Sequence, residues 1–239
     1  MTSLRHLTPR YVCNRLAAAC YARRRPDAPW LTRRSIEWIE AWLQPSDRGL
    51  EWGSGRSTVW LARRTARLIS VEHNGEWADR VRGDLAARHL DNVQLHHVPL
   101  EVVAATGEPA YVHVARDLPA GSLDYVLVDG RYRGPCALLA LRLLRPGGLL
   151  ILDDVQRFLP HATRAPGAVG EHAQVPDETW KHVHRAVAGW RTLWTTDGVR
   201  DTALLIRPAA AATASERRTV NWTLSGSLRK AVGTRPARQ

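Results

Sequence analysis

A glycine-rich turn and three aspartates hold most of the chemistry this sequence could do. In Gly49-Leu50-Glu51-Trp52-Gly53-Ser54-Gly55-Arg56-Ser57-Thr58, an apolar strand-like run leads through two glycines into a helix-compatible stretch. Gly53 and Gly55 permit a sharp turn and a close backbone approach to a ligand, and the free N–H groups of the helix start, with Ser54, Ser57 and Thr58 beside them, supply donors. This is a nucleotide-like cradle. Glu51, two residues before the first glycine, would repel a pyrophosphate but can face a cationic ligand. Thr58 stands where the dinucleotide fingerprint G-x-G-x-x-G has its third glycine. Glu72, followed by His73, ends the run Leu68-Ile69-Ser70-Val71-Glu72, and an acid at such a strand end can accept both hydrogen bonds of a ribose diol.

The aspartates form a second set. Asp129 ends one strand-like run, and Asp153 with Asp154 ends the next, so three carboxylates are predicted to converge at neighbouring strand ends. Such oxygens suit hard cations, Mg²⁺, Mn²⁺ or Ca²⁺. The alternative is that Asp129 orients a ligand without metal while Asp153 and Asp154 cap the next segment. Two side chains are candidates for proton removal: Tyr132, whose unperturbed pKa is about 10, and His161, which titrates near neutrality. Arg131 and Arg133 flank Asp129 and could hold a carboxylate or phosphate. Trp30 and Trp77 stand near the same loops, where they either cover a ligand or pack.

The elements that must position these residues are legible from periodicity. Residues 1–29 place Tyr11, Val12, Leu16, Ala19 and Cys20 at helical spacing before Arg23-Arg24-Arg25-Pro26, which predicts an accessory helix. A second helix begins after Thr32 with Ile36, Ile39 and Leu43 on one face, and Gln44-Pro45 ends it. Trp38 and Trp42 lie i,i+4 on that helix and predict a core or subunit contact, which leaves a homo-oligomer open. Strand-like runs at 49–52, 68–72, 93–97, 123–129 and 149–153 then alternate with helix-compatible stretches near 57–66, 76–89 and 135–144. Such alternation makes a parallel sheet with covered faces. A helix near 177–187 precedes two strands, 190–196 and 201–207, joined at Asp197-Gly198. Residues 209–239 open on alanines, turn Arg/Ser/Thr-rich and lose apolar periodicity, so a basic, mobile tail is expected there. The predicted division is 1–29, 30–208 and 209–239.

Composition sets the bounds. The 239 residues are 44% hydrophobic and 24% charged, which fits one ordinary domain and excludes a collagen, a disordered chain or a disulfide scaffold. Cys13, Cys20 and Cys136 are odd in number and include no C-x-x-C pair. No window approaches the roughly 18 apolar residues of a membrane span, and no apolar stretch comes after Arg5, Arg10 and Arg15. A soluble, cytoplasmic protein is expected. The net charge of +11 raises nucleic acid as a partner. Only Lys181 and Lys230 among the 34 Lys and Arg residues are lysines, however, a skew that GC-rich codon usage also produces, and nucleic acid is not favoured.

Over roughly residues 29–207 the sequence resembles class I S-adenosylmethionine-dependent methyltransferases. Glu51-Trp52-Gly53-Ser54-Gly55 is similar to the family's first motif, with Ser57 in place of a further glycine. Val71-Glu72-His73 is similar to its ribose-binding position. Tyr125-Val126-Leu127-Val128-Asp129-Gly130 resembles its fourth strand, and Leu144-Arg145-Pro146-Gly147-Gly148 the turn feeding its fifth. No acid near His97-Val98-Pro99 matches the adenine-contacting position. The resemblance implies an α/β fold, a Rossmann-like seven-stranded, mostly parallel sheet with an antiparallel last strand and helices on both faces. It implies S-adenosylmethionine as cofactor, bound by Glu51, Gly53, Ser54, Gly55, Ser57, Thr58, Glu72, His73 and Asp129. The acidic triad is most similar to the metal-dependent O-methyltransferases of the catechol and macrocin types, which implies Mg²⁺ or Mn²⁺ on Asp129, Asp153 and Asp154. Asp129, Tyr132 and His161 are the implied catalytic set. The expected reaction is O-methylation of a small-molecule hydroxyl on an acceptor that could be anionic. RNA methylation and a non-catalytic binding protein of the same fold are the competing readings.

Overall fold

The computed structural model describes residues 8–209. The tail expected for 209–239 lies outside the described residues from position 210 onward. Strands β1 (Arg48–Trp52), β2 (Arg67–Glu72), β3 (Val93–His97), β4 (Leu123–Val128), β5 (Leu144–Asp153), β6 (Arg191–Thr196) and β7 (Asp201–Ile206) form one sheet, ordered β3-β2-β1-β4-β5-β7-β6. β7 runs antiparallel to both its neighbours, and the other four pairings are parallel. The Rossmann-like, mostly parallel sheet with an antiparallel last strand is therefore present as expected.

Successive strand residues point to opposite faces, and here both faces are apolar because both are covered. Leu50, Trp52, Val126, Val128, Leu150 and Leu152 pack on one side with α5 (Ala110–His113), α6 (Arg133–Leu143) and α7 (Glu178–Val187). Tyr125, Leu127, Leu149, Ile151 and Leu204 pack on the other with α2 (Arg33–Trp42) and α3 (Arg56–Ala62). A smaller cluster joins α3 to α4 (Gly75–Ala87) through Val59, Ala62, Val81 and Leu85. Helix α1 (Pro9–Arg24) begins where Thr8 Oγ1 accepts from the Tyr11 N–H and has no buried residue.

Several boundaries differ from the sequence reading for local reasons. α3 stops at Ala62, where the chain turns and the Ala66 N–H donates to Asp47 O. β5 starts at Leu144, and its register with β4 jumps from Leu123↔Leu144 to Tyr125↔Leu149, so Pro146-Gly147-Gly148 is a bulge inside the strand rather than a turn before it. Thr32 sits at the start of α2 without capping it. Its hydroxyl bonds Ser35 Oγ at 2.9 Å, and its N–H donates to Thr202 Oγ1 at 3.2 Å, tying α2 to β7. The short α5 and a 3-10 turn at Val155–Arg157 contain too few residues to show a period, so periodicity gives no sign of either.

The strand order reverses beside β1, since the chain lays β2 and β3 to one side and then crosses to β4 on the other. Doubly wound sheets take ligands in the crevice outside the carboxyl ends of strands at such a point. Gly53 leaves β1 there and Asp129 leaves β4, with the Asp129 N–H donating to Trp52 O at 2.9 Å. Among the described residues no helix is long and apolar enough to cross a membrane. The three cysteines are free thiols, Cys136 buried and Cys13 and Cys20 exposed.

Candidate functional site over the ends of β1 and β4

The loops after β1 and β4 meet backbone to backbone. Gly53 has φ +98°, and a Cβ there would stand 2.7 Å from the Gly130 nitrogen. A Cβ on Gly130 would stand 2.1 Å from the Tyr111 hydroxyl. Only glycine fits either place. The Gly53 N–H donates to Val71 O at 2.8 Å, fixing the turn against β2. The Gly55 N–H donates to Thr58 Oγ1 at 2.8 Å, so Thr58 satisfies a donor at the start of α3 where a third glycine would have left open space.

Glu72 holds the next segment together. Its Oε2 accepts from the Ser54 N–H at 3.0 Å, and its Oε1 accepts from the N–H groups of His73 and Asn74 at 2.9 and 2.8 Å. A carboxylate offers about four acceptor positions. Three are used by backbone N–H groups, and the His73 ring Nδ1 lies 2.9 Å from Oε1 as well, so the carboxylate is largely engaged within the protein. Asn74 then caps α4 by accepting from the Trp77 N–H at 2.9 Å, and the Trp77 indole donates to Ser54 O at 2.7 Å.

Glu51 lies beneath this loop and not on the cavity wall. It is fully buried, its Oε1 accepts from Ser70 Oγ at 2.7 Å, and its Oε2 has no hydrogen-bond partner. Burial pushes its pKa up to about 7, against the nearby hydroxyls of Thr58, Ser70 and Ser57 that pull it down. A buried carboxyl with an unsatisfied oxygen under a ligand loop is suited to a cationic group arriving above it. Thr58 is likewise buried below the wall, whereas Gly53, Ser54, Gly55, Ser57, Glu72, His73 and Asp129 line the cavity.

The acidic centre is organised by an arginine. Arg133, at the first turn of α6, donates from Nη2 to Asp129 Oδ1 at 2.8 Å, from Nε to Gly130 O at 3.0 Å, and from Nη1 to Asp153 O. Asp153 is buried and accepts from Thr202 Oγ1 at 2.9 Å across the β5–β7 pairing. Asp154 has its backbone in the left-handed region and meets Arg157 at 3.6 Å. Burial raises the Asp129 pKa to about 6, with Arg133 opposing and Asp154 reinforcing the shift; burial raises Asp153 further, with Asp129 as its neighbour. The three acids expected to ligate Mg²⁺ or Mn²⁺ act on one another electrostatically. One oxygen of Asp129 is paired with the Arg133 guanidinium and one of Asp153 with the Thr202 hydroxyl, and among the described residues no group of three or more His, Cys, Asp or Glu is already gathered as a metal site. Arg133 and protonation both relieve the repulsion among these carboxylates.

The remaining expected residues are spread around this centre. Tyr132 lies in the left-handed region before α6, two-fifths exposed, with its hydroxyl donating to Leu100 O at 3.4 Å, and it lines a neighbouring cavity. His161 stacks on Trp194, centroids 4.1 Å apart and planes 3° apart, and lines neither cavity. The main cavity, about 560 Å³, runs from Glu72 to Asp129. Its rim is aromatic and basic: Trp30 and Trp77 lie 6.1 Å apart, Arg56 sits over Trp30 and Arg80 over Trp77. Arg200 donates to Trp30 O at 2.6 Å and lowers the pKa of Asp129. Asn74 was findable as a helix cap three residues before Trp77, and Arg56 lies within the glycine motif. Thr202 and Arg200 had no local signal, because antiparallel pairing brings them from some fifty residues away.

Residues 50–155 match the family model described as a methyltransferase domain. No curated protein sequence matches the chain. Among solved structures, a putative methyltransferase of Escherichia coli is 16% identical, with 77% of this chain and 90% of that one covered and a TM-score of 0.50; the likeness is one of fold. A methyltransferase-like protein of Silicibacter pomeroyi is 23% identical over 79% of this chain and 94% of that one, TM-score 0.48. A SAM-dependent methyltransferase of Aquifex aeolicus is 13% identical over 76% and 92%, TM-score 0.47.

Proposed function

We propose that the protein moves a methyl group from S-adenosylmethionine to a hydroxyl of a small-molecule acceptor. The observation that carries this reading is the cavity over the Gly53–Gly130 crossing, lined by both Glu72 and the clamped Asp129. Its volume lies within the roughly 300–1,000 Å³ of small-molecule sites. The methyltransferase-domain match over residues 50–155 spans the same loops.

When bound, S-adenosylmethionine supplies an electrophilic methyl group on a sulfonium. Glu72 accepts a ribose hydroxyl, the glycine crossing lets the backbone approach the ligand, and Glu51 beneath the loop complements positive charge. Arg133 holds Asp129 in one orientation. Asp129 would hold the acceptor hydroxyl in line with that methyl group and take up the proton the hydroxyl gives up as it is methylated. A base with a pKa of about 6 is matched to that transfer near neutrality, and alignment with exclusion of water supplies the rest of the acceleration. No metal is needed for proton removal on this reading.

The test is calorimetric titration followed by an assay. S-adenosylhomocysteine should bind and NADH should not. Incubation with hydroxylated acceptors and S-adenosylmethionine should yield S-adenosylhomocysteine equally with and without EDTA. Binding of NADH alone would remove the reading.

A further inference from the structure

A second cavity, about 620 Å³, adjoins the first and shares Gly130, Arg131 and Arg133 with it, extending past the ends of β4 and β5 toward α7. One wall is aromatic. Phe158 stacks on Trp180 with centroids 4.6 Å apart and planes 11° apart, and the Arg133 guanidinium lies 5.9 Å from the Phe158 centroid.

The charges in this cavity do not cancel. Arg133 is committed to the Asp129 carboxylate and three carbonyls, and Asp177 accepts from the Trp180 N–H at 2.9 Å as the cap of α7. Asp154 meets Arg157 at 3.6 Å, a long contact to an exposed arginine. Arg131 is exposed, and its guanidinium has no hydrogen-bond or ion-pair partner among the described residues. It lines both cavities, one residue from Gly130 and two from Asp129 in the chain.

We infer that this second cavity is the acceptor chamber and that it selects a hydroxylated aromatic acceptor bearing an anionic group, a carboxylate or a phosphate. The inference rests on the methyl-transfer reading and specifies its substrate class. The guanidinium fork of Arg131, with Arg157 beyond it, matches the oxygens of either anion, and the ring of the acceptor packs against the wall that Phe158 and Trp180 form. Docked in this way, the ring carries its hydroxyl toward Asp129 and the shared wall of the two cavities.

The test uses the full chain saturated with S-adenosylhomocysteine and three probes: phenol, 4-hydroxybenzoate and 4-hydroxyphenyl phosphate. At least one anionic probe should bind about tenfold more tightly than phenol, a ratio within reach of one charge-assisted contact. Which anion binds better identifies the source of the negative charge. Arg131→Gln should erase the preference while phenol still binds. Arg157→Gln, which touches only the second cavity, should reduce the preference and leave S-adenosylhomocysteine affinity unchanged. Phe158→Ala should weaken all three probes alike. Equal binding of phenol and both anions to the loaded protein would overturn this inference and leave methyl transfer standing. Tight binding of a single-stranded hexanucleotide that depends on Arg131, with no binding of the small anions, would overturn it in favour of nucleic acid. Failure of S-adenosylhomocysteine to bind would remove the methyl-transfer reading and this inference with it.

Discussion

Glu51 and Glu72 stand near the carboxyl ends of adjacent strands, and their surroundings make them different acids. Three backbone N–H groups donate to Glu72, while Glu51 has one hydroxyl and an orphaned oxygen. Glu72→Ala should weaken S-adenosylhomocysteine binding by about 1–3 kcal/mol, the scale of a lost charge-assisted bond with three donors released, and Glu72→Gln by less, since one acceptor oxygen remains. Unchanged affinity in the alanine variant would place the ribose elsewhere. Glu51 makes a prediction in pH. Its folded-state pKa of about 7 lies above the ordinary 4.5, so the folded protein keeps a proton that the unfolded chain has released, and its contribution to stability falls as pH rises through that window. In urea titrations of the ligand-free protein, Glu51→Gln should therefore gain on the wild type between pH 5 and pH 8, by up to the order of 3 kcal/mol. Parallel stability curves for the two proteins would show that Glu51 ionises freely in the fold.

At the scale of elements, the site is a junction of loops held by two devices. The first is the glycine crossing between the turns after β1 and β4. Gly130→Ala must push a Cβ into the Tyr111 hydroxyl and the Gly53 backbone, so a loss of about 1–3 kcal/mol in stability is expected together with loss of cofactor binding. A variant with wild-type urea midpoint and affinity would mean that the loops yield at no cost. The second is the Arg133 clamp, which joins the start of α6 to the ends of β4 and β5. Arg133→Met leaves Asp129 without its cation. The loss should be about 2–3 kcal/mol at pH 8, where Asp129 is ionised, and smaller at pH 5, where protonated Asp129 needs no counterion. A penalty independent of pH would assign the clamp to packing alone. The order of strands and longer helices around these devices was legible in the sequence because each of them shows its own pattern within a few residues. The bulge at Pro146-Gly147-Gly148 was not, since a Pro-Gly-Gly run reads the same in a turn and in a bulged strand.

For the molecule as a whole, the sequence argues that the core is complete by Pro208. A chain shortened after that residue should unfold cooperatively and bind S-adenosylhomocysteine as the full chain does, whereas loss of cooperativity would show that later residues finish the core. Sequence by itself determined the alternating α/β class, the antiparallel closing pair of strands and the loops that meet at the switch point. Those features come from periodicity over short windows and from glycine's freedom at a single turn, both of which are properties of neighbouring residues. Only the tertiary structure decided that Glu51 lies under the cavity rather than on its wall, that Thr202 reaches Asp153, and that His161 stacks on Trp194. It also decided that Arg133 faces Asp129. Three acids at strand ends look alike in sequence whether water, metal or arginine faces them. Which of these does depends on residues brought from across the chain to exclude solvent, and that exclusion is what raises the pKa values of Asp129 and Asp153.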